Sequence, residues 1–211
     1  MTETSPVCTQ TYLTPALAGA SGDEEFRRAA MAGVPLPLVE LRLRTEDGTE
    51  PPYDGHAMGE IQVRGPFVTG SYHESGSPPD KFTDDGWLRT GDVGTIDEYG
   101  FVSITDRTKD LVKCGGEWIS SVHLENLLMA HPSVAEAAVI AVPDPKWSER
   151  PLACVVLKPG CRCEPTALHE HLLQGAVAKW QLPVRYEFLD AIPRTSTGKF
   201  WKLRLRERFP G

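Results

Sequence analysis

Apolar positions come as short alternating runs in the first half of the chain and as longer continuous runs in the second. Leu38 to Leu43 alternates, with Leu41 and Leu43 on one face, and Glu60 to Arg64 alternates through Ile61 and Val63, so both predict strands. Trp87 to Arg89 and Val93 to Ile96 predict two further short strands. The turn Asp97-Glu98-Tyr99-Gly100 then returns the chain into Phe101 to Ile104, a hairpin. One short helix is predicted over Asp23 to Ala32, capped by Ser21 or Asp23 and stopped by the Pro-rich run from Gly33 to Pro37. Residues 1–20 show no period and read as loop or extended chain, Glu46-Asp47-Gly48 as a turn, and Gly65 to Asp80 as a long loop. A β unit with so little helix to cover it needs a partner surface.

The rhythm changes after residue 105. Ser120 or Ser121 caps a helix that carries Leu124, Leu127 and Leu128 and stops at His131-Pro132. Val134 to Val142 and Leu152 to Leu157 are apolar runs that predict two buried strands of one sheet. Pro165 opens a helix predicted through Ala178, with Leu168, Leu172, Leu173 and Val177 on one face. Val184 to Leu189 predicts a third strand, Ile192 to Lys199 a polar loop, and Trp201 to Phe209 a basic helix with Leu203 and Leu205. The fold class expected is α/β (α+β): a short-stranded β subdomain over 1–107, then a compact α/β domain with a small sheet over 108–211. Between them, Thr105 to Ser121 is too polar for a core and reads as a charged connector. Its pair Gly115-Gly116 suits either a hinge or a solvated loop.

Composition narrows the function classes. The 211 residues carry a net charge of −7, which argues against a nucleic-acid binder. No apolar run reaches the ~18 residues of a membrane helix, and the first residues lack the basic and apolar regions of a signal peptide, so a cytoplasmic protein is expected. The five cysteines, with Cys161-Arg162-Cys163 too close for an ordinary disulfide or zinc site, read as reduced structural thiols. Met129 and Trp180 read as core, and His123, His131, His169 and His171 as surface or helix-packing residues.

Four polar clusters are candidates for chemistry. Asp92, in Thr90-Gly91-Asp92, can accept hydrogen bonds from a ribose diol, although a turn aspartate reads the same way. Arg107 offers a planar fork to a phosphate or a surface ion pair. Thr195-Ser196-Thr197-Gly198-Lys199 combines hydroxyls, a glycine and a cation, a set suited to phosphate or carboxylate oxygens, on a loop expected to be flexible. Thr2 and Glu3 offer a hydroxyl and a magnesium-binding carboxylate, or are plain terminal polar residues.

Taken together these stretches resemble the adenylate-forming (AMP-binding) superfamily, and within it the fatty acyl-CoA synthetases of medium- and long-chain acids. Met1 to Pro6, Gly59-Glu60-Ile61 with Gly65, Thr90-Gly91-Asp92, Asp106-Arg107 through Glu117, and Pro193 to Lys199 resemble five of its motifs in the family's order. The stretches from Glu117 to Ser121 and from Trp147 to Pro151 resemble the bacterial ligases most.

The resemblance implies two half-reactions, acyl-adenylate formation from ATP and a carboxylate and then thioester formation with CoA. A small domain would rotate between them. It implies phosphate contact for Thr2, Mg2+ for Glu3, and ribose contact for Asp92 with Ile104 packing nearby. It implies ribose and phosphate contact for Arg107 and a pivot at Lys109. Lys113 would face the site in thioester formation, with Gly115 and Gly116 lining the CoA path and Glu117 and Trp118 beside it. Lys199 would bridge the carboxylate and the α-phosphate.

The family's Ser/Thr/Gly-rich phosphate loop and most of its acyl pocket are not found. The expectation is therefore the C-terminal part of a fatty acid–CoA ligase, inactive alone and partnered by an N-terminal portion. Two other readings stay open: a non-catalytic interaction module derived from such a ligase, and, disfavoured, an adenylation unit of peptide synthesis.

Overall fold

The structure is a computed structural model, and it describes residues 1–12, 22–73, 80–175 and 177–210. The chain divides into two compact units, Met1–Thr108 and Lys109–Gly211.

The first unit is built on a four-stranded antiparallel meander of β3 (Glu40–Arg44), β4 (Gly59–Arg64), β5 (Leu88–Ile96) and β6 (Val102–Arg107). Leu43, Ile61, Val63, Leu88, Ile96 and Val102 form its core, so the alternation in the sequence does mark the buried face. A two-stranded pair, β1 (Thr9–Gln10) with β2 (Val34–Pro35), and helix α1 (Gly22–Ala29) complete it. β1 lies within residues 1–20, which read as loop or extended chain, and β2 within the Pro-rich run that read only as the stop of α1. Of the two proposed caps of α1, Ser21 falls outside the described residues, and Asp23 lies inside the helix. Arg28 of α1 is buried at 3% exposure, ion-paired to Asp97 at 3.1 Å and stacked on Tyr99 at 4.3 Å.

The two short strands expected at 87–89 and 93–96 are one strand. The reason is a pair of irregularities: the register slips between Glu60 and Gln62 against β4 and between Val93 and Gly94 against β6. Gly91 holds a positive φ of 73° there, a conformation that costs a glycine little. Extra residues in a strand break the sequence alternation without ending the strand.

In the second unit β10 (Ser148–Leu157) is central. It pairs antiparallel with β9 (Val134–Asp144) and parallel with β11 (Arg185–Phe188). The register pair Ser148 with Cys114 joins it to the hairpin of β7 (Val112–Cys114) and β8 (Glu117–Ile119). Helices α2 (Ser121–Ala130) and α3 (Pro165–Gln174) supply Leu124, Leu128, Leu168 and Leu172 to the core that takes Val139, Ala153 and Val155. Helix α4 (Lys202–Arg208) supplies Leu205 to a second core with Ala138, Ile140, Leu152 and Cys154. Successive residues of β9 and β10 thus feed different cores, and burial on both faces accounts for their continuous apolar runs.

Several expectations are corrected here. Helix α3 ends at Gln174, with Gly175 as its cap, and not at Ala178. Val177 is buried outside the helix. Leu173 and Leu203 face out, at 39% and 56% exposure, and Met129 and Trp180 are likewise surface residues and not core. Helical spacing alone cannot tell the flank of an apolar stripe from its centre.

His131 and His171 pack edge to face, with ring centroids 5.1 Å apart, where α2 meets α3. His131 Nδ1 accepts the Ser133 N–H at 3.2 Å, which requires an unprotonated nitrogen. Burial, then the neighbouring His171 and Lys158, hold its pKa below the usual 6.5. With the folded value below the unfolded one, the unfolded chain takes up the proton first, so stability rises with pH through that window. The expected result is a urea midpoint that drops as pH is lowered from 7.5 through 6.5 to 5.5, with a smaller drop in His131→Asn. Equal midpoints at pH 7.5 and 5.5 would contradict it.

Candidate functional site

The connector of residues 105–121 is loop chiefly over the turn at 108–111 and is not uniformly polar. Its first residues finish β6. Leu111, Val112, Cys114 and Ile119 are then buried at 3% or less, because 112–119 fold as the β7–β8 hairpin. Gly115 and Gly116 form its two-residue turn, both with positive φ, 61° and 90°, as a type I′ turn requires. The Gly115 N–H donates to Trp147 O at 2.9 Å, and a Cβ at 115 would lie 2.8 Å from Trp147 Cε3. The indole therefore covers one side of the glycine turn. Lys113 and Trp118 are cross-strand partners, as are Cys114 and Glu117, and the Lys113 N–H donates to Glu149 Oε2 at 2.8 Å. Five of the sequence candidates (Lys113, Gly115, Gly116, Glu117 and Trp118) thus share one hairpin.

In the first unit, Asp92 and Arg107 are register partners of β5 and β6, fifteen positions apart in the chain. Arg107 Nε lies 2.9 Å from Asp92 Oδ1, and the two side chains are 58% and 23% exposed. The register irregularity beside them, with Thr90 Oγ1 donating to Ile61 O at 2.7 Å, sets where Asp92 falls on the sheet. Ile104, on the same strand as Arg107, is 57% exposed.

Thr2 and Glu3 sit on a separate turn, a 3-10 helix of Thr2–Thr4. Glu3 accepts the Tyr72 hydroxyl at 3.0 Å, and its carbonyl accepts the Thr69 N–H at 2.8 Å. A hydrogen bond from its own backbone N–H, then the Tyr72 hydroxyl, hold the carboxyl below its usual range, so Glu3 is an anion at neutral pH.

The loop that carries Lys199 is ordered from within. Thr195 N donates to Lys199 O at 2.8 Å, Gly198 N to Thr195 O at 2.9 Å, and Arg194 pairs with Phe200 in a β-bridge. Arg194 also donates to Gly198 O at 2.6 Å and to Glu136 at 2.5 Å, and lies 4.7 Å over the Phe200 ring. The expected flexible loop is therefore a turn braced by backbone and Arg194 hydrogen bonds, with an exposed lysine at its end. Lys109 is exposed at the first position of the second unit.

Sequence reasoning passed over the residues that hold these parts. Arg194 lay within a recognised motif and went unassigned. Arg206, which grips Lys109 and Asp110, and Lys202, which pairs with Glu125, look in the sequence like members of a basic helix and nothing more. Their partners lie far away in the chain, so no local pattern marks them.

Residues 123–199 match the family model of the AMP-binding enzyme C-terminal domain. The chain is 52% identical to a long-chain-fatty-acid–CoA ligase of Thermus thermophilus over 99% of its own length and 39% of that protein. It is 40% identical to a medium-chain-fatty-acid–CoA ligase of Ectopseudomonas oleovorans, over 99% of the chain and 38% of the relative. Among solved structures, o-succinylbenzoate CoA synthetase of Bacillus subtilis, in complex with the acyl-adenylate intermediate OSB-AMP, superposes with a TM-score of 0.74 at 31% identity. It covers 98% of this chain, which spans 40% of that one. The chain thus spans about two fifths of the length of the ligases it matches.

Proposed function

We propose that this chain, which belongs to the AMP-binding enzymes through its C-terminal domain, supplies the C-terminal part of an ATP-dependent fatty acid–CoA ligase working in the cytoplasm. The observation that carries the reading is the pairing of Asp92 with Arg107 on adjacent strands. An exposed guanidinium beside a carboxylate can grip phosphate oxygens while the carboxylate accepts the two ribose hydroxyls. Ile104 offers an apolar surface for the adenosine, and Thr2 a hydroxyl for phosphate.

The chemistry sets the other roles. A carboxylate attacking the α-phosphate brings two anions together, and Lys199 neutralises both as the acyl-adenylate forms. Glu3 fits a magnesium site in donor chemistry: it is ionised, and magnesium commonly takes one or two carboxylates with phosphate and water as its remaining ligands. When bound with ATP, the ion withdraws charge from the phosphates. For the second half-reaction the unit turns about Lys109 and presents the β7–β8 hairpin. Its glycine turn is covered by Trp147 on the Gly115 side and open at Gly116, which leaves room there for the CoA thiol to pass, flanked by Lys113, Glu117 and Trp118.

Two proteins test the reading. The 211 residues alone are expected to form no acyl-CoA from ATP, CoA and medium- or long-chain fatty acids. The same residues replacing the matching segment of the Thermus thermophilus ligase are expected to restore ATP- and CoA-dependent acyl-CoA formation. A folded chimera that binds ATP and makes no acyl-adenylate would favour a non-catalytic interaction module, and turnover by the chain alone would refute its dependence on further sequence.

A further inference from the structure

The chain passes from the first unit to the second between Thr108 and Lys109, and it is pinned on each side of that junction. On the first side the Thr108 N–H donates to Gly91 O at 2.9 Å, within the first unit. On the second side Arg206 Nη2 of α4 donates to Lys109 O at 2.9 Å and to Asp110 Oδ1 at 2.7 Å, within the second unit. Arg206 is anchored through its neighbour Leu205, fully buried in the core beneath α4. A peptide group is planar, so holding the amide before Thr108 and the carbonyl of Lys109 leaves only the φ and ψ angles of two residues free.

We propose that Arg206 is the positioning residue that makes Thr108–Lys109 a two-residue joint and ties the start of the second unit to the helix that follows Lys199. α4 begins three residues after Lys199, so the same helix carries the braced turn at one end and grips the joint from its C-terminal half. A rotation at Thr108 and Lys109 therefore moves the Lys199 turn as one body with the rest of the unit, with no slack at 110. Arginine suits this: one nitrogen of its fork serves the carbonyl and the carboxylate together, a geometry that a lysine reproduces only in part. The proposal rests on the ligase reading for its consequence in catalysis, and on hydrogen bonds within each unit for the joint itself.

The joint is tested in the 211-residue chain by trypsin cleavage after Lys109, which requires that carbonyl to be released. Arg206→Met is expected to raise cleavage there about tenfold, the scale of losing a charge-assisted bond. Cleavage at the wild-type rate overturns the joint. In the chimera, Arg206→Met is expected to slow both half-reactions about tenfold with KM for ATP and CoA within about twofold. Arg206→Lys should recover part of the loss, and Arg204→Met, whose side chain pairs with Glu207, should match wild type. Unchanged rates in Arg206→Met, or a lysine variant no better than the methionine one, overturn the positioning role. A wild-type chimera that makes no acyl-adenylate would instead remove the ligase reading, and the trypsin result would still decide the joint.

Discussion

Lys199→Ala in the chimera is expected to lower acyl-adenylate formation by about 10² to 10³-fold, the range seen when one preorganised charge-stabilising group is removed. Thioester formation from supplied acyl-adenylate, in which the thiol displaces AMP, should stay within about threefold of wild type, because in the proposed cycle the unit has by then turned and taken Lys199 away from the α-phosphate. The asymmetry follows from charge. In the first half-reaction an anion approaches an anionic phosphate, whereas in the second a thiol attacks a mixed anhydride whose repulsion is already spent. Lys199 is exposed at the tip of a turn whose backbone bonds do not involve its ammonium, so alanine leaves the fold in place. Pyrophosphate exchange measures the first half-reaction and CoA-dependent release of AMP the second. Equal losses in both would reject the assigned role.

Lys202→Met is expected to produce the largest change in stability. Lys202 Nζ lies 2.6 Å from Glu125 Oε1 and 2.6 Å from Ser121 Oγ, with the two charged side chains 11% and 9% exposed. The same Glu125 oxygen accepts the Val139 N–H of β9 at 2.8 Å. The lysine thereby joins α4 to α2 and to the sheet, and its removal takes a close cation away from a buried carboxylate. Such a loss costs about 3 kcal/mol, the low end of the usual range because the pair keeps some solvent. With a urea slope of about 1–2 kcal/mol per M, the midpoint of the second unit should fall by roughly 2 M. Amide exchange of β9 and β10 in urea follows that unit by itself. The double variant Glu125→Leu/Lys202→Met should regain most of the loss, since the cost lies in keeping the carboxylate of residue 125 buried and not in the missing contact. A double variant no more stable than the single one would show that the pair is not what holds α4.

Legibility differed by element. Strands β9 and β10, helix α2 with its Ser120 cap and the 97–100 turn could be placed from the sequence, because continuous apolar runs, cap residues and turn residues act over a few positions. The continuity of β5 could not, since an inserted residue disrupts the alternation that signals a strand. The β7–β8 hairpin was hidden by the charges of Lys109, Asp110, Lys113 and Glu117, which flank its buried positions closely enough to mask them. Among candidate site residues, Asp92, Arg107, Lys199 and the glycine pair were legible as residue types in ordered motifs.

The amino-acid sequence alone therefore determined the chemical inventory and the order of most elements: a carboxylate at 92, a guanidinium fork at 107, a glycine pair and a lysine at 199. Those are properties of residue type and near neighbours. Only the tertiary structure decided that Asp92 faces Arg107, that Arg194 braces the turn of Lys199, and that Arg206 reaches back to Lys109. Each of these contacts depends on register or on packing between distant segments. The free energy that selects them comes from burial of the cores beneath, which no local pattern records.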